Sequence, residues 1–264
     1  MRRVRVKVKH NMKLFSKVSA NRQLILTRNT LRGLANLVSA TYRLYMRQKP
    51  RWGSFTPNRT LAAHRTILEA NYNNPMMEDI KSEIRQNGKD SGDCPFCGFG
   101  EITDVDHFLP SSSYPEYSIY TNNLIPSCHR CNNLKNNSGL VNFHPYFDNV
   151  INSEFLVCNL TNKRQTVLFS GRFSIDYSLL TTTESSLVND VYGKLDLIER
   201  FESVVTNHVE GIRTDYDKIR NFVTIQIFLQ SHYDSKLQLH GPNHYKTATA
   251  KSLLNNVSLL STIW

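Results

Sequence analysis

The chain has 264 residues, with 32 Lys and Arg against 22 Asp and Glu, and a formal net charge of +10. That length is enough for one large domain or for two modest ones, each with its own core. No run of about 18 or more apolar residues occurs, which argues against a membrane span. The charged start, residues 1–5, has no apolar segment behind it, so no secretory signal is expected.

The positive charge is concentrated at the N-terminal end. Residues 1–68 hold 16 of the 32 Lys and Arg and no acid, and the first acid is Glu69. The rest of the chain therefore has 16 basic and 22 acidic residues, a balance of −6. This asymmetry indicates a polyanionic partner, most often nucleic acid. The alternative is a solvated basic face, or one that docks on an acidic protein.

The N-terminal region, residues 1–90, is predicted to be basic and mainly helical. Valines alternate with basic residues over 3–9, which predicts a half-buried strand or a basic arm that becomes ordered on its target. Apolar residues at helical spacing predict helices over residues 21–47, 58–72 and 75–86, followed by a turn-rich connector from residue 87. The alternating segment supplies four candidate nucleic-acid contacts: Arg3, Arg5, Lys7 and Lys9.

The C-terminal region, residues 151–264, is predicted to form a short hairpin and then helices. The hairpin strands are expected at Phe155–Leu160 and Thr166–Phe169, with Cys158 as a buried thiol and Phe173–Tyr177 as a further strand. Apolar faces predict helices around residues 195–209, 219–228 and 250–260. Such faces serve either as core or as a surface for a partner.

Two Cys-x-x-Cys pairs frame the segment between these regions: Cys94 with Cys97, and Cys128 with Cys131. Each pair can present two thiolates to one tetrahedral ion, so the spacing predicts a structural zinc site with a closed ligand shell. Glycines directly after the first pair permit the tight turn that such a site needs. A redox-active pair would require a βαβ pattern, which is missing. This cysteine usage indicates a reducing compartment, and a cytoplasmic location is expected.

The segment between the pairs holds the residue types that metal-dependent phosphodiester hydrolysis requires. His107 suits the general base, because neutral imidazole exists near pH 7. Asp106 and Asn132 offer oxygen ligands suited to magnesium or manganese. Strands are expected around residues 102–108 and 124–126. On the first of these, Asp106 and His107 serve one site only if the strand ends or twists there.

A helix is predicted to start near His129, after the second strand. Lys135 lies one turn beyond Asn132 on that helix and is a candidate phosphate contact, as is Arg130. The helix N-terminus itself favours anions. His144, further along, either touches substrate or metal, or is a hydrogen-bonded structural residue.

In order and spacing, the motifs Cys-x-x-Cys, Asp-His, Asn-Leu-Ile-Pro and Cys-x-x-Cys-Asn-x-x-Lys, over about residues 94–146, resemble the HNH endonucleases. These are the zinc-supported branch of the ββα-metal nucleases. The resemblance implies that His107 is the general base and that Asp106 and Asn132 hold the catalytic metal. It also implies that Asn123 orients the loop bearing the histidine. Asn132 fills the place of the family's last histidine and keeps an oxygen ligand there.

The expected fold class is therefore α+β. An HNH module with structural zinc would occupy residues 91–150, between helical regions at 1–90 and 151–264. The expected function is cleavage of DNA, with Zn²⁺ as structural and Mg²⁺ or Mn²⁺ as catalytic ion. A zinc-bound nucleic-acid-binding module and an RNA-cleaving nuclease remain open. The general plan also resembles effector subunits of bacterial antiphage systems, which implies a bacterial source and an ATPase subunit as partner.

Overall fold

The computed structural model describes residues 4, 11–48, 52–138, 140–149, 151–162 and 169–264. The chain divides into two compact units, Arg2–Asn149 and Val150–Trp264. Each unit combines helices with a small two-stranded sheet, so the fold is a mixture of α and β structure, as predicted. Within the described part of the chain, no helix combines the length and the apolar character that a bilayer span requires.

Helices make up most of the first unit ahead of the first cysteine. They are α1 (Asn11–Ala20), α2 (Ile25–Gln48), α3 (Arg59–Ala62), α4 (Arg65–Glu69) and α5 (Glu78–Asp90). The predicted helix over 21–47 corresponds to α2, and the predicted helix over 58–72 is divided between α3 and α4. Helix α1 was not predicted; it buries Phe15 and Val18. The predicted basic segment with Arg3, Arg5, Lys7 and Lys9 lies outside the described residues, apart from Val4.

Helix α5 extends further than predicted. The sequence favours a turn-rich connector from residue 87, but the helix continues to Asp90. Gly88 is buried, and a Cβ built there would lie 2.5 Å from the Cβ of Pro126. The missing side chain lets the helix approach the segment that contains Pro126. Packing thus stabilises a helical turn whose own residues do not favour one.

A two-stranded ribbon and a helix follow α5. Strand β1 (Asp104–His107) pairs antiparallel with β2 (Leu124–Ser127), and His107 lies opposite Leu124. Helix α6 (His129–Ser138) begins two residues after β2 ends. The predicted strands around residues 102–108 and 124–126, and the helix near His129, are confirmed.

An aromatic core fixes the loop between the two strands. Tyr45, on α2, is fully buried and packs edge-on against Tyr117 with ring centroids 5.0 Å apart. Its hydroxyl lies 2.8 Å from Nε2 of His144 and 3.1 Å from Oδ1 of Asn123. His144 is also fully buried, which places it in the core as a hydrogen-bonded structural residue. Through Tyr45, helix α2 is thereby connected to Asn123 and His144 by buried hydrogen bonds.

The second unit starts with a hairpin of β3 (Leu156–Asn162) and β4 (Phe169–Ile175), paired antiparallel. Cys158 is buried on β3, as predicted. The helices that follow are α7 (Thr182–Lys194), α8 (Leu197–Asp217), α9 (Ile225–His240), α10 (Tyr245–Asn255) and α11 (Val257–Leu260). Helix α7 begins with a capping box formed by Thr181 and Glu184, and α9 is capped by Thr224.

This unit differs in part from the predictions. Strand β3 continues through Thr161 and Asn162, beyond the predicted end at Leu160. Of the predicted partner strand Thr166–Phe169, only Phe169 lies within the described residues; it belongs to β4, which also contains the first part of the further strand predicted at Phe173–Tyr177. The helix predicted around residues 219–228 begins later than expected, since α9 starts at Ile225 and only the last four residues of the predicted stretch are helical. Phe222, counted as part of its apolar face, is 86% exposed. Helical spacing of apolar residues thus identified a face that this unit does not bury.

Candidate functional site

The four cysteines predicted as zinc ligands form one buried cluster. The Sγ atoms of Cys94, Cys97, Cys128 and Cys131 all lie within 4.8 Å of one another, and those of Cys97 and Cys128 are 3.8 Å apart. A tetrahedral ion with Zn–S bonds of about 2.3 Å separates its sulfurs by about 3.8 Å. The cluster therefore fits a structural zinc ion.

Two glycines shape the first cysteine turn in different ways. Gly98 has a φ of 78°, the left-handed conformation that glycine adopts at low cost. Gly100 is required for space: a Cβ there would lie 2.6 Å from Sγ of Cys128. Its amide donates a hydrogen bond of 3.3 Å to Sγ of Cys97. The segment is thus built closely around the sulfurs.

A cleft of about 600 Å³ lies beside the ribbon, between residues of α5, β1 and α6. It is lined by three of the residues predicted to act in catalysis, Asp106, His107 and Asn132. Strand β1 ends at His107. Asp106 and His107 would point to opposite faces of a continuing strand. Because β1 ends at His107, both residues line the same cleft, which is the condition that the sequence set for a shared site.

The position of His107 suits proton transfer. Its Nε2 lies 2.8 Å from the carbonyl oxygen of Ser118, which can only accept, so Nε2 carries the proton and Nδ1 is the basic nitrogen of the neutral ring. The ring of Tyr72 packs against the His107 ring, with the two ring centres 4.5 Å apart. The Tyr72 hydroxyl donates a hydrogen bond to the carbonyl of Val105. Burial lowers the pKa of His107 to about 4, so the imidazole is neutral at pH 7.

Asn123 holds together the loop that follows His107. It is fully buried. Its Oδ1 accepts from the amide of Leu109 at 2.8 Å, and its Nδ2 donates to the carbonyls of Leu109 and Tyr117 at 3.1 and 3.3 Å. Its own carbonyl accepts from the amide of Phe108 at 2.8 Å. Asn123 thus links the backbone at Phe108 and Leu109 with the backbone at Tyr117.

Asp104 was not identified from the sequence, yet it organises one side of the cleft. Its Oδ2 accepts from Nδ2 of Asn132 at 2.9 Å and lies 3.0 Å from Nδ1 of His129. Burial acts to raise the pKa of Asp104, but hydrogen bonds from Asn132, His129 and Thr103 outweigh it, so the pKa is lowered. Because the carboxylate orients the amide nitrogen, it fixes which way Oδ1 of Asn132 points. The i, i+2 spacing of two aspartates on one strand was the available signal.

Asp106 and Lys135 form a buried ion pair. Lys135 Nζ donates to Oδ2 of Asp106 and, at 3.3 Å, to the carbonyl of His107. Burial raises the pKa of Asp106, and the Lys135 ammonium opposes that shift. Lys135, predicted to contact phosphate, is 5% exposed and is directed towards the carboxylate. Arg130, in the first turn of α6, is exposed.

Comparisons with known proteins add little. No protein-family model matches the chain, and no solved structure matches it. A stretch of 40 residues is 55% identical to Protein ea31 of Escherichia phage lambda. The match covers 15% of this chain and 14% of the phage protein, so the chain spans about a seventh of that relative.

Proposed function

We propose that the chain is a metal-dependent endonuclease of the HNH type that cleaves DNA. One observation carries the proposal: His107, with its tautomer set by the Ser118 carbonyl, faces the same cleft as Asp106 and Asn132. A neutral imidazole and two side-chain oxygens are the groups that hydrolysis by an activated water requires. The adjacent four-sulfur cluster would brace this arrangement through its zinc ion.

The protein's part in the reaction follows from these positions. His107 would take the proton from a water molecule at Nδ1, and the water oxygen would bond to phosphorus as the bond to the 3′ oxygen breaks. Asp106 and Asn132 would hold a Mg²⁺ or Mn²⁺ ion, which supplies charge stabilisation for the leaving oxygen. Asp104 would orient Asn132, and Asn123 would keep the loop in place. The basic residues of the first quarter would supply further phosphate contacts.

The decisive measurement is cleavage of supercoiled plasmid with Mg²⁺, with Mn²⁺ and with EDTA. His107→Ala should lower the rate by at least about 100-fold, since general-base catalysis contributes about 10²–10⁴. His64→Ala is the control, because this histidine lies outside the cleft and makes no capping hydrogen bond at α4. Zinc content and thermal unfolding of each variant report on folding.

Several outcomes distinguish the alternatives. Full activity of a folded His107→Ala protein would refute the assignment. Binding of DNA without cleavage under any metal would instead support a zinc-bound nucleic-acid-binding module. Parallel incubation with tRNA separates a ribonuclease from a deoxyribonuclease, since hydrolysis by an activated water does not require deoxyribose. Cleavage that appears only with an added ATPase subunit would identify a partner-regulated effector.

A further inference from the structure

Two cations outside the cysteine-framed motif line the same cleft as His107. Lys81 and Arg85 lie four residues apart on α5, so they share one face of that helix. Their side chains are 14% and 29% exposed, respectively, which differs from ordinary solvated surface cations. The cleft therefore has a cationic wall, formed by Lys81 and Arg85, in addition to its carboxylates.

The position of this wall is fixed by packing. Gly88, on the same helix, allows the close approach to Pro126 of β2, where a Cβ would come within 2.5 Å. Nζ of Lys81 lies 4.2 Å above the centre of the Tyr72 ring, and that ring packs against His107. Lys81 is thus separated from the proposed general base, His107, by one side chain, that of Tyr72.

Glu78 pairs with both of these cations. One of its carboxylate oxygens is 2.7 Å from Arg85 and the other is 3.7 Å from Lys81. The Glu78 side chain is 62% exposed, and ion pairs with that exposure contribute little to stability because solvent screens them. Two cations facing one carboxylate retain a net positive charge. A multivalent anion that enters the cleft can therefore displace Glu78 at small cost.

We propose that Lys81 and Arg85 form a phosphate-binding subsite for the nucleic-acid backbone, next to the phosphate that is cut. The proposal rests on the function proposed above and adds to it a binding element outside the motif. Contacts of this kind position a strand without selecting its sequence. Glu78 would compete with incoming anions for Lys81 and Arg85, so that only an anion of higher charge would displace it.

The test is binding of a labelled DNA duplex in EDTA, over a series of salt concentrations, in a His107→Ala background. The double variant Lys81→Met/Arg85→Met should lower affinity roughly tenfold at low salt and reduce the salt slope by about 0.9 for each phosphate that is no longer neutralised. Lys89→Met is the matched control, because Lys89 lies on the same helix, pairs with Glu101 and does not line the cleft. Glu78→Gln should change affinity in the opposite direction and tighten binding.

The outcomes separate this proposal from the nuclease assignment. If the wild-type protein cuts DNA but the double variant binds with the affinity and slope of Lys89→Met, the subsite is refuted and the nuclease assignment stands. If no substrate is cut but the double variant has a reduced slope and Glu78→Gln gains affinity, the subsite stands without the nuclease. Should the double variant fail to fold, Arg85→Gln and Glu78→Gln carry the same comparison, and unchanged binding in both would overturn the subsite.

Discussion

Asp106 and Lys135 form a buried ion pair that would link stability to metal binding at the proposed site. The carboxylate and the ammonium are about 3% and 4% exposed, so each compensates a charge that solvent does not reach. Two phenyl rings surround the ammonium, with the ring centre of Phe96 at 5.1 Å and that of Phe108 at 5.8 Å. A cation held by Asp106 would take over part of the role that Lys135 plays without it.

Lys135→Met should therefore destabilise the protein by about 3–5 kcal/mol in EDTA, because it leaves Asp106 as a buried charge without its partner. Added Mn²⁺ should restore more of the lost stability in the variant than it adds to the wild-type protein. Urea unfolding of both proteins with and without Mn²⁺ measures this difference. The double variant Asp106→Asn/Lys135→Met is the control and should show a smaller loss and no metal response. Equal stabilisation of all three proteins by Mn²⁺ would contradict the idea.

At the scale of elements, the first cysteine turn depends on a glycine for space. Gly100→Ala would place a methyl group 2.6 Å from Sγ of Cys128, and overpacking of this kind typically costs about 1–3 kcal/mol. We expect a lower zinc content and a lower melting temperature, measured by atomic absorption and by thermal unfolding. Gly33→Ala is the control: it lies in α2 of the same unit, nothing stands within 4 Å of its Cβ position, and alanine favours the helix. Equal zinc content and stability in the two variants would count against the close fit.

Some of these elements could be predicted from the sequence, and others could not. The ribbon of β1 and β2, helix α6 and the cysteine cluster follow from motifs that are local and closely spaced. The helix that carries Lys81 and Arg85 was predicted, but its continuation through Gly88 and its position beside the ribbon could not be, because they depend on contact with Pro126, which is distant in sequence. Asp104 was missed because its role appears only when α6 brings Asn132 to β1. For Phe222 the error is the opposite one: apolar residues at helical spacing predicted a buried helix face, but the Phe222 side chain is exposed.

For the whole molecule, charge and titration differ between the two units. The basic excess of residues 1–68 belongs to the first unit, together with the cleft. The second unit instead has two half-buried histidines, His208 on α8 and His232 on α9, with ring centres 6.3 Å apart. Among the described residues, neither Nε2 has a hydrogen-bond partner. A buried imidazole in this situation resists protonation.

This resistance makes stability depend on pH. Burial, with help from nearby lysines, lowers the pKa of both histidines to about 4, while an unfolded chain protonates them near their ordinary pKa of 6.5. Above pH 6.5 they are neutral in both states and contribute no pH dependence. Between pH 6.5 and 4 the unfolded chain binds protons that the folded chain does not, so stability falls as pH falls. After allowance for partial exposure, we expect a loss on the order of 1–2 kcal/mol per histidine.

Urea unfolding at pH 7.5 and pH 5.0 measures this loss. The double variant His208→Phe/His232→Phe removes both titrations and retains aromatic packing, against Tyr245 for the first ring and Phe228 for the second. It should lose less stability than the wild-type protein between the two pH values. The difference between the two proteins cancels any common effect of acid on the cysteine cluster, because both retain it. A loss of equal size in both would show that other groups control the acid sensitivity and that these two imidazoles are not protected from protons.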